Sequence, residues 1–470
     1  MKITMKDIET THGMDVLNGP ADWCAEGVTT DTRRPVRGML FFALRGDRFD
    51  GHDFLQTAVS LGAAGVVVDR NGTQAALPLK DRAAVFAVDN TVRGLGMLAH
   101  AVRAGHGPAV IAITGSSGKT TTKEMLASIL SRTHSTGKTR GNLNNAIGLP
   151  LSILNMEPGT SVWVLELGTS RYGELGALTR IADPDIGVLT NIGMAHLESF
   201  HSLEGVAKAK SEMFSAMSGH GTAVLNADDP RAMDIAGTFG GRVVSAGFSE
   251  KASLRVVSYG LMKDGTGSEF EVSYEGERRG LTMPLTGRHY LHDMALAVLC
   301  ARLLRVPWDD IRAACAGYRG LGGRGTAISY GSGITVIDDT YNANPDSMRE
   351  GFLSAIERYG ADSIVAVIGD MLELGEHSRE QHRLLGRLLA DRGVCRFILT
   401  GRFAGDTLEG IESAGTRGVH ARRANSVQEI VDGILAVSGS HSVVYVKGSR
   451  GMGLERVVAE YDRAMRCGNA

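Results

Sequence analysis

Lys119 is preceded by Gly115-Ser116-Ser117-Gly118 and followed by Thr120-Thr121, an order of residue types suited to holding phosphate. The glycines let backbone N–H groups approach phosphate oxygens, a helix start just beyond favours anions, the lysine neutralises charge, and the Thr120 hydroxyl can ligate Mg2+. Lys119 is expected to be a surface charge of this loop. Ile113 stands where the eight-residue form of the loop has its first glycine, so the motif is a shortened one. Glu166 ends the apolar run Val162-Trp163-Val164-Leu165, where a lone carboxylate is costly to bury, and this makes it a candidate Mg2+ ligand. His196 follows a second apolar run, Ile186-Gly187-Val188-Leu189, and gains weight only if that strand ends beside the phosphate loop. Asn142, Asn144 and Asn145 form an amide-rich loop that can bind a polar ligand or close an ordinary turn. A phosphate loop with oxygen ligands for a hard cation is the equipment of phosphoryl transfer.

Such groups work together only where strands deliver them to one edge. From about residue 109 to 320, buried strands alternate with helices, which implies a doubly wound parallel sheet with functional residues at the carboxyl ends of its strands. Residues 243–284 switch to short alternating segments and read as antiparallel decoration. Before this unit lies a small α/β region. It has a strand at 39–44, a helix with Phe54, Ala58 and Leu61 near one face, and an interior strand at Val66-Val67-Val68. Its Asp31, Arg33, Asp50 and His52 are either a polar ligand site or loop charges. After the glycine-rich break Gly320–Gly325 comes a third α/β unit with strands at 334–337, 364–368, 397–399 and 443–446. Capping boxes at Ser378/Gln381 and Ser426/Glu429 mark two of its helix starts. Each strand end carries a polar cluster, the richest being Asp339–Pro345 and Lys447-Gly448-Ser449-Arg450. Two α/β units on a glycine hinge can close on a nucleotide between them.

The length of 470 residues suits three domains, placed at 1–108, 109–322 and 323–470. The expected class is α/β: a small substrate domain, a central P-loop ATPase-like parallel sheet with antiparallel additions, and a Rossmann-like third domain. A formal net charge of −2 argues against a nucleic-acid or anionic-membrane surface and for a small-molecule partner. Cys24, Cys300, Cys315, Cys395 and Cys467 are scattered without a C-x-x-C pair, so they are expected to be reduced and mostly core thiols. The start of the chain lacks a basic-then-apolar signal and no apolar run reaches span length, so a cytoplasmic protein is expected; a monomer is expected as well.

Taken in order, these clusters resemble the Mur ligase family over nearly the whole chain. The pieces are Asp31-Thr32-Arg33 with Arg45 through His52, Thr114–Thr120, Gly141–Asn145, Glu166-Leu167-Gly168, Ala195–Glu198, Ala209-Lys210, Asp339–Pro345, Gly369-Asp370-Met371 and Lys447–Arg450. The Tyr341-Asn342-Ala343-Asn344 and Lys447–Arg450 pieces favour the member that adds a terminal dipeptide. Its sister, which adds the third residue, has an Asp-Asn-Pro-Arg segment absent here. The resemblance implies that a substrate carboxylate attacks the ATP γ-phosphate and that the resulting acyl phosphate is captured by an amine. It implies ATP and Mg2+, with UDP-N-acetylmuramoyl-tripeptide and D-alanyl-D-alanine as partners. Metal ligation falls to Thr120, Glu166, His196 and a carbamylated Lys210, and these with Lys119 form the catalytic set. Nucleotide contacts fall to residues 115–121, Asp293, Arg324, Asp339 and Asn342. Substrate contacts fall to Asp31, Thr32, Arg33, Phe49, Asp50, His52, Asn142, Asn144, Asn145, Tyr341, Asn344, Lys447, Ser449 and Arg450.

Three departures stand out. The family's His-Asn-x-x-Asn is His289-Tyr290-Leu291-His292-Asp293 here, and an ionised aspartate only accepts hydrogen bonds, so adenine is expected to be read differently. Its Pro-Gly-Arg hinge is Gly322-Gly323-Arg324, and its small-Asn-His segment is Thr169-Ser170-Arg171, where substrate contacts are expected to differ. The competing readings are another Mur-type amide ligase, a folylpolyglutamate-type ligase, or a P-loop switch that only hydrolyses ATP.

Overall fold

The computed structural model describes residues 1–46, 49–263 and 265–467, so Asp47 and Arg48 of the Arg45–His52 segment, and the side chain of Cys467, lie outside the described residues. Among the described residues three large sheets carry the chain, beside a two-stranded pair of Ile3–Thr4 with Cys24–Ala25. The first has five strands in the spatial order Met14–Asn18, Ala84–Val88, Gly65–Asp69, Leu40–Phe42, Val28–Thr29, with the first pair antiparallel and the rest parallel. The central sheet has nine strands, of which Ala109–Thr114, Thr136–Lys138, Val162–Glu166, Ile186–Leu189, Thr222–Asn226 and Arg242–Gly247 run parallel. Leu254–Leu261 pairs parallel with Arg242–Gly247, and the hairpins through Ser268–Tyr274 and Glu277–Met283 then extend the same sheet antiparallel. The third sheet has six strands, parallel except for Thr326–Ser329 at one edge.

Alternation along the central strand Ala109–Thr114 explains how the middle unit is covered. Ile111 and Ile113 face one way, into a core shared with Met125, Leu126 and Leu291 from the helices Lys119–Leu130 and Arg288–Leu303. Val110 and Ala112 face the other way, into a core with Leu98, Leu178 and Met213 from the helices Thr91–His106, Glu174–Ala182 and Leu203–Ala216. A strand buried on both faces must be apolar throughout, as this one is. Its neighbours set the site. Glu166 pairs in register with Ile113, and Leu189 with Thr114, so three strands end side by side with the phosphate loop in the middle.

Several details differ from the sequence reading, each for a local reason. The strand at 39–44 shortens to Leu40–Phe42. The helix Leu55–Ser60 buries Leu55, Ala58 and Val59, because a 3-10 turn at Gly51–Phe54 rotates the face and leaves Phe54 and Leu61 exposed. Arg242–Gly247 is a parallel member of the main sheet and not decoration. Ser378 does not cap its helix: the turn Gly375–His377 runs straight into Ser378–Asp391, and the Ser378 hydroxyl donates to the Gly375 carbonyl. Ser426 does cap, accepting from the Glu429 N–H at 3.2 Å, but the Glu429 carboxylate takes the N–H of Asn425 instead of that of Ser426. Cys300 and Cys315 are core thiols, Cys395 is partly buried and Cys24 is exposed. Among the described residues no helix is long and apolar enough to cross a membrane.

Candidate active site

The loop at 115–118 owes its shape to two glycines. Gly115 and Gly118 have φ of +150° and +78°, and a Cβ on either would overlap a neighbour, Thr190 for the first and Asp293 for the second. The loop is braced from the next strand end: Ser116 Oγ accepts from Gly193 N at 2.9 Å, and Ser117 N donates to Asn191 Oδ1 at 3.0 Å. Lys119 Nζ folds back to donate to the Gly115 carbonyl at 2.7 Å. Lys119 is therefore half-buried and not a surface charge, because its Nζ is folded back onto the Gly115 and Ser116 carbonyls, and burial lowers its pKa. Thr121 is buried beneath the loop, and the Thr120 hydroxyl accepts from Arg324 Nη2 at 2.9 Å.

Glu166 is buried beside this loop. Its Oε1 accepts from Asn144 Nδ2 at 2.8 Å, while Oε2 has no hydrogen bond, only the Lys123 ammonium 3.5 Å away. A buried carboxylate oxygen without a donor suits an inner-sphere bond to a hard cation. His196 has φ of +54° and sets Nδ1 2.7 Å from Glu373 Oε2 of the third domain. That contact holds the Glu373 carboxyl below its usual range and commits one imidazole nitrogen, leaving Nε2 for a ligand. Lys210 is buried on Leu203–Ala216, and its side chain makes no hydrogen bond or ion pair with any of the described residues. Burial first, then the charge of Lys119, pushes its pKa well down, which favours the uncharged amine. Lys208 instead lies exposed, 5.6 Å from the Tyr172 ring centroid. Among the described residues no three His, Cys, Asp or Glu side chains cluster as a metal site. The donors at hand are one carboxylate, one hydroxyl and one imidazole, few enough to fit Mg2+, which keeps waters and phosphate oxygens in its shell.

Thr120, Glu166 and His196 line one cavity of about 1270 Å³, whose opposite wall is the third domain. Asp339, Tyr341, Asn342, Asn344, Lys447 and Arg450 stand on that wall. Lys447 is buried, with Nζ 2.6 Å from Asp339 Oδ2 and donating to the Asn342 carbonyl at 3.1 Å. The Tyr341 ring has Arg324 at 4.0 Å and Arg450 at 5.4 Å from its centroid. Asn344 spends its Oδ1 on capping Pro345–Tyr359. Ser449 is interior, donating to Ala343 O and accepting from Leu372 N, and it does not line the cavity. Asn142, Asn144 and Asn145 do line it, although the Asn145 side-chain Oδ1 is taken by Gly148 N at 2.8 Å.

The residues predicted in the first domain do not reach this cavity. Asp31 and Arg33 form a fork at 2.9 Å that holds the Asp31 carboxyl down to about 2, with Thr32 between them half-buried. His52 Nδ1 lies 2.6 Å from Asp50, its Nε2 accepts from Asp69 N at 3.1 Å, and Arg45 joins both aspartates, so Asp50 and His52 tie down their own turn. Phe49 is exposed above Gly46.

Asp293 overturns one expectation. Its side chain is buried with a single hydrogen bond, from Thr122 Oγ1 at 3.2 Å, and burial raises its pKa to about 8. At neutral pH it is therefore a carboxylic acid, able to donate as well as accept, and not an acceptor-only carboxylate. Sequence reasoning missed Lys123, Glu373 and Glu174. Lys123 is fully buried between Glu124 and Glu166 and donates to the Gly141 carbonyl at 3.3 Å. Its place one helical turn beyond Lys119 was the available signal. Glu174 accepts the N–H groups of Ser170 and Arg171, shaping the departed segment. Glu373 carries no local signal, since only the domain contact brings it to His196.

A phosphate loop at the middle of a doubly wound sheet, faced across a cavity by a second α/β domain, defines a nucleotide-dependent enzyme that holds its substrates between domains. The chain belongs to the Mur ligase family: the Mur ligase family catalytic domain matches residues 25–103, the middle domain 113–301, and the glutamate ligase domain 323–450. It is similar to the UDP-N-acetylmuramoyl-tripeptide–D-alanyl-D-alanine ligases of Escherichia coli, at 34% identity over 94% of this chain and 96% of that one, and of Bacillus subtilis, at 33% over 92% of each. Among solved structures it resembles MurF from Acinetobacter baumannii, with a TM-score of 0.86, 31% identity and coverage of 98% and 99%. It also resembles the Thermotoga maritima MurF ligase in complex with ADP, with a TM-score of 0.82, 28% identity and coverage of 94% and 98%.

Proposed function

We propose that the chain is an ATP-dependent ligase joining D-alanyl-D-alanine to UDP-N-acetylmuramoyl-tripeptide through an acyl phosphate, in peptidoglycan precursor synthesis. The observation that carries this reading is the single cavity in which Lys119, Glu166 and His196 face Lys447, Asp339 and Arg450 of another domain. A switch protein needs only the first wall; a ligase must hold a donor and an acceptor against the nucleotide.

In this account the loop N–H groups and Lys119 hold the phosphates, and Arg324, poised on Thr120, adds positive charge where the γ-phosphoryl moves. Thr120, Glu166 and His196 would hold Mg2+, which when bound neutralises phosphate charge. Glu373 fixes the His196 ring from its far nitrogen. Lys210, whose burial favours the uncharged amine, can add to CO2: its nitrogen bonds to carbon, one C=O electron pair moves onto oxygen, an N–H proton leaves to solvent, and a buried neutral amine is replaced by an anionic oxygen donor with longer reach. Lys447 and Arg450 supply cations for the carboxylates of the peptide substrates. The three domains are taken as 1–108, 109–322 and 323–470, with the first holding the UDP moiety through its 31–33 and 45–52 segments. The enzyme is taken to act as a cytoplasmic monomer.

ADP release tests the reading. It should require the UDP-sugar tripeptide and the dipeptide together. Release that proceeds with neither would mark a hydrolytic switch.

A further inference from the structure

The Asp293 carboxyl is packed against the phosphate loop itself. A Cβ on Gly118 would overlap Oδ1, and Thr122 Oγ1 donates to that oxygen from the helix that begins at the loop. Among the described residues no cation lies within ion-pair distance, and Oδ2 makes no hydrogen bond while the residue lines the cavity. The charged and titratable groups facing it are Arg324 from the interdomain turn, Tyr290 on its own helix and Tyr318 beyond the next. Arg324 is committed to Thr120 and the Tyr341 ring, and both tyrosines are held neutral by burial.

We propose that Asp293 is a positioning residue that works as a neutral carboxylic acid beneath the phosphate loop, so that a nucleoside polyphosphate binds only with this proton in place. The inference rests on the nucleotide-dependent ligase reading above. A carboxylate there would be buried with one hydroxyl donor, and it would set negative charge against the loop that must receive phosphate, so the proton and the nucleotide favour each other. Burial already raises the carboxyl to about 8, which puts its loss of charge neutrality within reach of ordinary titration. The exchange is simple: the O–H bond of Asp293 breaks as pH rises, the proton goes to solvent, and the anion left behind opposes ADP.

The test is ADP affinity of the full chain by titration calorimetry between about pH 7 and 9.5, without substrates or turnover, for the wild type and Asp293→Asn, with Asp293→Ser as a second uncharged variant should the amide not fold. Titration of Lys119 affects all three proteins alike, so the ratio of wild-type to variant Kd isolates Asp293. That ratio should rise at least about tenfold across the range, with proton uptake on ADP binding at high pH in the wild type exceeding that in the variant. Equal pH slopes in wild type and variant would overturn the proposal while leaving the nucleotide site standing. ADP binding to none of the proteins at any pH would overturn the ligase reading, and this proposal with it.

Discussion

Lys119, Glu166 and Asp293 show how residue type and burial divide the information. The phosphate loop and Glu166 are legible because glycine spacing and a carboxylate ending an apolar run are local signals. The charge state of Asp293 is not, since it is set by burial, which Thr122 and Arg324 offset only in part, and both of those lie more than thirty residues away along the chain. A folded Asp293 keeps its proton up to about 8, whereas the same side chain unfolded gives it up at 3.8. The folded state binds the extra proton between those values, so this group's contribution to stability falls as pH rises through that window. Asp293→Asn should therefore match the wild type near pH 4 and exceed it by up to about 5 kcal/mol at pH 8, read from thermal unfolding at both values. Lys123 is the opposite case, a buried cation between two carboxylates. Lys123→Met should cost about 3 kcal/mol in denaturant unfolding, because Glu124 and Glu166 lose their counter-charge. For Lys210→Ala, a small carboxylate should restore part of the lost turnover where a small amine does not, and Lys208→Ala should show neither loss nor rescue. Rescue by amines alone would make Lys210 a cation and end its reading as a carbamate.

Elements were easier to find than to delimit. The parallel strands announce themselves as apolar runs, and their shared edge follows from the register of Glu166 with Ile113 and of Leu189 with Thr114. Two of the errors fall where a 3-10 turn abuts a helix, at Gly51–Phe54 and Gly375–His377, since the tighter turn shifts which residue faces the core and which one caps. The phosphate-loop helix depends on Gly118 at φ of +78°, with no room for a side chain. Gly118→Ala should weaken ADP binding at least about tenfold while leaving far-ultraviolet circular dichroism unchanged, since the strain falls on the loop and not on the sheet. Wild-type affinity in that variant would remove the loop from the nucleotide site.

At the scale of the molecule, the cavity exists because the third domain lies against the strand ends of the second. Met194 N donates to Asp346 at 2.9 Å, Glu198 N donates to the Glu373 carbonyl at 3.1 Å, and His196 pairs with Glu373. None of these partners can be foreseen from sequence, where the glycine break at 320–325 announces a hinge but not what it brings together. The central claim is that the two walls couple phosphoryl transfer to amide formation. Its most direct measurement is to label the donor's terminal carboxylate with oxygen-18 and follow the label through one turnover with ATP and D-alanyl-D-alanine. One labelled oxygen should appear in inorganic phosphate for each amide bond formed. Amide formation with unlabelled phosphate would contradict the acyl phosphate route and the account of this cavity built on it.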